Sequence, residues 1–335
     1  MRGVRMYKPG HATVGNFLEP RITSEDEVKI RVHYCAINSD DYSMYMGKLK
    51  SRYASYGLLN EFSGVITQVG SASESAGFSV GDPVSGTMFS PCGMCPMCRS
   101  NRQDLCVELN GDACLNEFIV INNRKVVRLP QQLPLRQGAL FWLAACCMRC
   151  VERMQVQTGQ TVLIHGAGSN GLMLLQLIRK RLPRLVVVSD PLPDKRELAR
   201  QMGADVVLDP YQDQLKEQTL QLTNGFGFDH IVDASGAVEV MSNTANLLCR
   251  GGRLMLYSNY RPGNTVSLDL ADIYWKEYTV TSCYNPTYAP YTANADFMTQ
   301  LDLEHLIGAE FPLDEVNEAF TAYATHRYQR ILIHL

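Results

Sequence analysis

Four thiols and three glycines carry the most specific spacings in the chain. Cys92, Cys95, Cys98 and Cys106 stand as C-x2-C-x2-C-x7-C within SPCGMCPMCRSNRQDLC, a polar and turn-rich stretch. Tetrahedral zinc takes four soft ligands from a tightly turning chain, and the Gly and Pro between these cysteines allow such turns. An iron–sulfur cluster also uses thiolates and is the weaker competitor. Four thiolates leave no open coordination position, so the expected ion, one structural Zn2+, would hold a lobe together and perform no chemistry. Cys35, Cys114, Cys146, Cys147, Cys150, Cys249 and Cys283 lie in strand or helix patterns without ligand spacing and read as core thiols.

Gly166, Gly168 and Gly171, with Ser169 and Asn170 between the last two, form G-x-G-x-x-G directly after the apolar run TVLIH and before an amphipathic helix. The first glycine permits a tight turn, the second lets backbone approach a pyrophosphate, and the third lets helix pack on strand. The helix N-terminus adds oriented N–H groups. The next strand, LVVVSD, ends in Asp190, about 20 residues on, where a ribose-binding carboxylate belongs. A carboxylate there accepts from ribose hydroxyls and repels a 2′-phosphate, so NAD(H) is the expected cofactor. Lys195 and Arg196 follow and could soften that preference, although a solvated helix face accounts for them. His165, beside the fingerprint, reads as a packed strand-end residue.

The elements that must position these residues change in texture along the chain. EVKIRVHYCAI, EFSGVITQVG, GDPVSGTMF and EFIVINNRKVVRLP read as short strands with Gly/Pro punctuation, hence a β-rich, barrel-like unit. Apolar strands then alternate with helices: TVLIHGAG, NGLMLLQLIRKRL, LVVVSD, PDKRELARQMG, ADVVLD, DHIVDAS, the helix VEVMSNTANLLCRGG, and RLMLYSN. That is βαβ repetition and a buried parallel sheet. The tail is expected to form a helix and a last strand that rejoins the first unit. The expected division is residues 1–143, residues 144–284 for the nucleotide fold, and residues 285–335 for the return.

Composition sets the outer limits. The 335 residues exceed one ordinary core, and 46% hydrophobic with 19% charged residues is a globular profile. Lys+Arg 31 against Asp+Glu 34 removes the electrostatic case for a nucleic-acid partner. No apolar run reaches membrane-spanning length, and MRGVRMYKPGHATV is too interrupted by Arg, Lys, His and Gly to be a signal-peptide core. A cytoplasmic, reducing location is expected, in which cysteines bind metal or pack and do not pair.

The four-cysteine lobe, EFSGVITQVG with GFSVGDPVSG downstream, GAGSNG, and DASG at 233–236 together make the chain resemble the medium-chain dehydrogenase/reductase superfamily along nearly its whole length. The resemblance implies an α/β fold: a GroES-like β-rich catalytic domain plus a Rossmann doubly wound parallel sheet. It also implies a small-molecule substrate held against the nicotinamide, and a homodimer or homotetramer. Zinc alcohol and polyol dehydrogenases of the superfamily hold a catalytic zinc through a Cys in a C-G-T-D-like motif, a His in G-H-E, and a Cys or Glu before the nucleotide domain. At those positions this chain has Asn38, Asn60, and Trp142 or a neighbour. Amide oxygens are hard, neutral ligands and an indole is none, so a catalytic zinc is not expected. Cys146 and Cys147, near the third position, leave a rearranged site open. Glu61, near the metal in the family, is retained. Arg330 matches a position whose basic group approaches the cofactor pyrophosphate, and Tyr257, Ser258, Cys283 and Tyr284 come from segments that flank the nicotinamide.

Without zinc, a side chain must stabilise charge on the substrate oxygen or move its proton. Asp40, Asp41, Tyr42 and Ser43 cluster in the relevant segment; Asp41 would otherwise cap a helix, and Tyr42 would pack. Asn38, Asn60 and Trp142 would line a pocket for a hydroxyl-rich or cyclic substrate. The leading expectation is an NAD-dependent alcohol dehydrogenase-like enzyme acting on a polyol, sugar or cyclic alcohol/ketone. AINSDDYSMYMG also resembles the N-P-x-D segment of zinc-free quinone and enoyl reductases, which keeps C=C reduction as an alternative. A non-catalytic NAD(H)-binding protein is the third.

Overall fold

The computed structural model describes residues 1–49, 57–212, 215–261, 263–285 and 295–335. Two compact units emerge: residues 1–145 with 287–335, and residues 146–286.

The first unit is built on a seven-stranded sheet. Ile307–Pro312, Arg330–His334, Glu27–Ile37, Glu61–Val69, Pro83–Gly86 and Val126–Arg128 follow one another across it, and Phe118–Asn122 also pairs with Glu27–Ile37. All pairs are antiparallel except the first. Glu27–Ile37 is central because its apolar alternation, with Val28, Ile30, Val32 and Cys35 buried, gives it a core face along its whole length. The last strand joins it in the register Ile331↔Ile37 and Ile333↔Cys35, while Ala36 lies opposite Glu61 on its other side. The helix Val316–Ala324 closes this core, stacking Phe320 on Tyr45 with ring centroids 4.1 Å apart. Two strands, Arg2–Lys8 and His11–Asn16, form a separate hairpin. Their interrupted apolar pattern hid them from the sequence reading.

The second unit is a six-stranded parallel sheet in the order Val206–Leu208, Leu185–Ser189, Thr161–His165, Phe228–Asp233, Leu248–Leu256, Thr279–Ser282. In chain order this is 3-2-1-4-5-6, the doubly wound Rossmann arrangement, with its switch point between Thr161–His165 and Phe228–Asp233. One element differs from expectation. VEVMSNTANLLCRGG is α-helical over Val238–Thr244 and continues as a 3-10 turn, but Leu248 already begins a strand. Leu248 pairs with Phe228 and is buried, so tertiary pairing overrides the helical periodicity. None of the described helices is long and apolar enough to cross a membrane.

Candidate functional site

In the second unit the G-x-G-x-x-G loop leaves strand Thr161–His165 at the switch point. Gly166 has φ 96°, a left-handed conformation that side chains rarely adopt. A Cβ on Gly171 would lie 1.8 Å from the Gly166 carbonyl oxygen, so only glycine lets this helix approach its strand so closely. A Cβ on Gly168 would meet nothing within 4 Å. Open space at that residue is what a pyrophosphate would need. The helix Ser169–Arg179 starts there with Gly168 as N-cap and no side-chain cap, which leaves first-turn N–H groups, including those of Ser169 and Asn170, for a ligand.

Asp190 closes the loop from the neighbouring strand. Its Oδ2 accepts from the Ala167 N–H at 2.8 Å and its Oδ1 from the Leu192 N–H at 2.9 Å. Each carboxylate oxygen has a second lone pair for a ribose hydroxyl. Arg196 is not a solvated side chain: its guanidinium donates to the Asp190 and Pro191 carbonyls and pairs with Asp209. His165 is buried between Ser189 Oγ at 2.7 Å and Thr244 Oγ1 at 3.2 Å, and burial pushes it down to about 4, so it stays neutral. At the end of Phe228–Asp233, Asp233 accepts from the N–H groups of Ser235 and Gly236 and from the Tyr260 hydroxyl, shaping the DASG turn. Nothing in the sequence pattern marked Tyr260 for this.

The four-cysteine lobe lies in the first unit. Cys92, Cys95, Cys98 and Cys106 place all their sulfur atoms within 4.8 Å of one another, with the pairs Cys92–Cys98 and Cys95–Cys106 at 4.0 Å. A tetrahedral zinc with Zn–S of about 2.3 Å needs sulfurs about 3.8 Å apart, so the four thiols fit the ion. Backbone N–H groups already point at sulfur: Cys95 N to Cys92 Sγ at 3.3 Å, and Cys92 N to Cys106 Sγ at 3.2 Å. Backbone donation from Cys98 and Val107 lowers the Cys95 thiol, while burial raises that of Cys98.

The segment expected to replace a catalytic metal forms one network in the same unit. Asn38 is the N-cap of helix Ser39–Tyr45, and its Oδ1 accepts from the N–H groups of Asp40 and Asp41, each at 3.0 Å. Asp41 Oδ2 reaches back to the Asn38 N–H at 3.1 Å, completing a capping box. Asn38 Nδ2 donates to Asn60 Oδ1 and to Glu61 Oε1, both at 3.0 Å. Glu61, 1% exposed, receives the Arg330 guanidinium on the same Oε1 at 3.0 Å. Arg330, 5% exposed, also donates to the Ile37 carbonyl. Burial raises the Glu61 carboxyl above its ordinary value, and Arg330 and Asn38 oppose that rise. Just before these residues, Leu59 holds φ 65°, a left-handed conformation rare for a bulky residue. Its carbonyl accepts from the Cys114 N–H, which keeps the kink in place. Strain of this kind gathers where side chains must be aimed.

The remaining expected residues lie in or beside this network. Asp41 is wholly buried and is the reciprocal residue of the capping box, its side chain accepting from the backbone of the N-cap Asn38. Tyr42 is half-buried and packs against Tyr323, ring centroids 5.3 Å apart. Asp40 contributes its backbone to the cap and remains half-buried. Trp142 is buried against Phe89 at 5.5 Å. Arg330 is buried within the first unit and ion-paired to Glu61. The thiol of Cys147 lies 3.4 Å from the Tyr257 hydroxyl in the second unit, and neither it nor Cys146 joins a metal-ligand cluster among the described residues.

A Rossmann sheet with an open glycine cradle, a GroES-like unit and a four-thiol lobe define a nicotinamide-dependent oxidoreductase class. Residues 24–131 match the alcohol dehydrogenase GroES-like domain, and residues 171–300 match the zinc-binding dehydrogenase family. The chain belongs to the medium-chain dehydrogenase/reductase superfamily, as an alcohol dehydrogenase-like oxidoreductase. It is 28% identical to a D-arabitol-phosphate dehydrogenase of Enterococcus avium, over 96% of this chain and 93% of the relative. It is 25% identical to a sorbitol dehydrogenase of Halalkalibacterium halodurans, over 97% and 96%. Among solved structures, one described as a zinc-binding dehydrogenase from Clostridium scindens superposes with a TM-score of 0.90 at 25% identity, covering 100% of this chain and 99% of that one.

Proposed function

We propose that this protein interconverts an alcohol and a ketone of a polyol, sugar, cyclic alcohol or phosphorylated polyol, using NAD(H) and no catalytic zinc, with one zinc ion in the four-thiol lobe. The observation that carries the reading is the Asn38–Asn60–Glu61–Arg330 network. The two residues at the family's first ligand positions are amides bonded to each other, and their arrangement makes sense as a hydrogen-bonding device. Amides also suit recognition of hydroxyl-rich substrates. The relatives named for D-arabitol phosphate and sorbitol support that substrate class. The nicotinamide, when bound, supplies the hydride acceptor or donor. Gly168, Ser169 and Asn170 would hold its pyrophosphate and Asp190 its adenosine ribose. Glu61 and Arg330 hold the amide pair in place.

The names of the polyol-dehydrogenase relatives favour alcohol oxidation over the C=C reductase alternative. Assembly as a homodimer or homotetramer is part of the proposal. Among the described residues, edge strand Thr279–Ser282 has one side unpaired, and helix Leu270–Lys276 exposes Leu270, Tyr274 and Trp275. A cytoplasmic location suits a lobe that needs reduced thiols.

The deciding experiment joins metal analysis with turnover. One zinc per chain, with NAD+-dependent oxidation of sorbitol, D-arabitol or D-arabitol phosphate, is expected. Two zincs per chain, or activity that follows addition and removal of a second labile zinc, would overturn the zinc-free reading.

A further inference from the structure

The amide network has a polarity that the cap determines. Oδ1 of Asn38 must be its acceptor end, because two backbone N–H groups of the helix cap donate to it. Both protons on its Nδ2 are then used, one on Asn60 Oδ1 and one on Glu61 Oε1. Asn38 is therefore saturated and has no proton for a substrate. The Asn60 amide is oriented in turn: its Oδ1 receives Asn38, so its Nδ2 is the donor end. That Nδ2 makes no hydrogen bond among the described residues, yet it is not one of the unit's sealed, partnerless polar atoms, as Glu61 Oε2 is. Asn60 is 3% exposed, and its Nδ2 is an amide donor whose other end is anchored. An amide that accepts at its carbonyl donates more strongly from its nitrogen, and the run from the cap N–H groups through Asn38 to Asn60 polarises it in that sense. The preceding residue, Leu59, holds a left-handed kink, and its carbonyl accepts from the Cys114 N–H.

Building on the zinc-free reading above, we propose that the Asn60 Nδ2–H is the group that hydrogen-bonds the reacting substrate oxygen, and that Asn38 is its positioning residue. In alcohol oxidation the C–H bond breaks as hydride leaves for the nicotinamide, the O–H bond breaks as its proton passes to water, and the C=O bond forms. Negative charge on oxygen is greatest near the alkoxide. A fixed donor stabilises that state more than the neutral alcohol or ketone. The amide keeps its own proton throughout.

The test is steady-state kinetics on sorbitol, D-arabitol and D-arabitol phosphate with NAD+, alongside NADH binding by fluorescence, zinc content and circular dichroism. Removing one such donor lowers turnover by about 10²–10³-fold in sites of this kind, so Asn60→Ala should lose that much kcat with NADH affinity unchanged. In Asn60→Asp the donor becomes an acceptor when ionised, so its residual activity should rise as the pH falls and the carboxyl regains a proton, a profile that a purely structural role would not produce. Asn38→Asp keeps the cap acceptor but removes the donor to Asn60; kcat should fall about 10-fold with little change in KM. If Asn60→Ala folds poorly, Asn60→Ser and the Asn60→Asp pH profile decide the matter. A wild-type protein with one zinc that turns over, beside folded Asn60 variants within about threefold of its kcat, overturns the role of Asn60 alone. Two zincs per chain, or no alcohol oxidised by the wild type, overturns the underlying reading and this assignment with it.

Discussion

Replacing Arg330 by Met isolates the energetics of the buried network. Arg330 and Glu61 are 5% and 1% exposed and are joined at 3.0 Å, so the variant leaves a buried carboxylate without its cation. Breaking a buried pair from one side costs about 3–5 kcal/mol. At about 2–4 °C per kcal/mol for a unit of this size, Tm should fall by about 6–20 °C. The loss should depend on pH in a defined direction. Burial already raises the Glu61 carboxyl, and without Arg330 the rise grows. An acid whose pKa is higher folded than unfolded weighs least against the fold below its unfolded value of about 4.3, and stability is lost as the pH climbs through the folded value. The deficit relative to wild type should therefore be small near pH 4.5 and largest near pH 8. Adding Glu61→Gln should recover much of it, because a neutral amide replaces the stranded charge. Urea and thermal melts of the wild type, both single variants and the double variant at three pH values would measure this. A deficit under about 1 kcal/mol at pH 8, or one independent of pH, would refute the reasoning.

Three further outcomes are expected. Gly168→Ala should fold normally but lose NADH affinity, since its Cβ enters space open in the protein, whereas Gly171→Ala should lose stability as well, because its Cβ would lie 1.8 Å from a backbone oxygen; fluorescence titration beside thermal melts separates the two. Cys98→Ser should reduce zinc from one to none per chain and make the lobe around residues 92–106 protease-sensitive, with the nucleotide unit still binding NADH; limited proteolysis with mass spectrometry would show it. His165, held near 4 by burial, contributes stability that is present above the unfolded value of about 6.5 and lost as the pH falls toward 4; the urea midpoint should drop over that window, and less steeply in His165→Gln.

The readable parts of the site are those in which one short segment makes the whole feature. The thiols of residues 92–106 meet because the loop between them turns, and the glycine cradle follows directly from one strand–turn–helix. Strand pairing, by contrast, redrew LCRGG, which has helical periodicity but buries Leu248 beside Phe228. The acidic cluster at residues 40–43 misled in a similar way. Asp41 has the chemistry of a proton carrier, and only its bond to the Asn38 N–H shows that it closes a capping box.

The amino-acid sequence alone determined the superfamily, the nicotinamide fold and the four-thiol lobe, because each depends on residue type and local spacing. Tertiary structure decided what Asn38, Asn60, Glu61 and Arg330 do. The register Ile331↔Ile37 and Ala36↔Glu61 brings three strands side by side and sets Arg330 against Glu61 across 269 positions of chain. Which end of an amide faces outward depends on which partners surround it, and those partners come from distant strands and a helix cap. No local spacing encodes them.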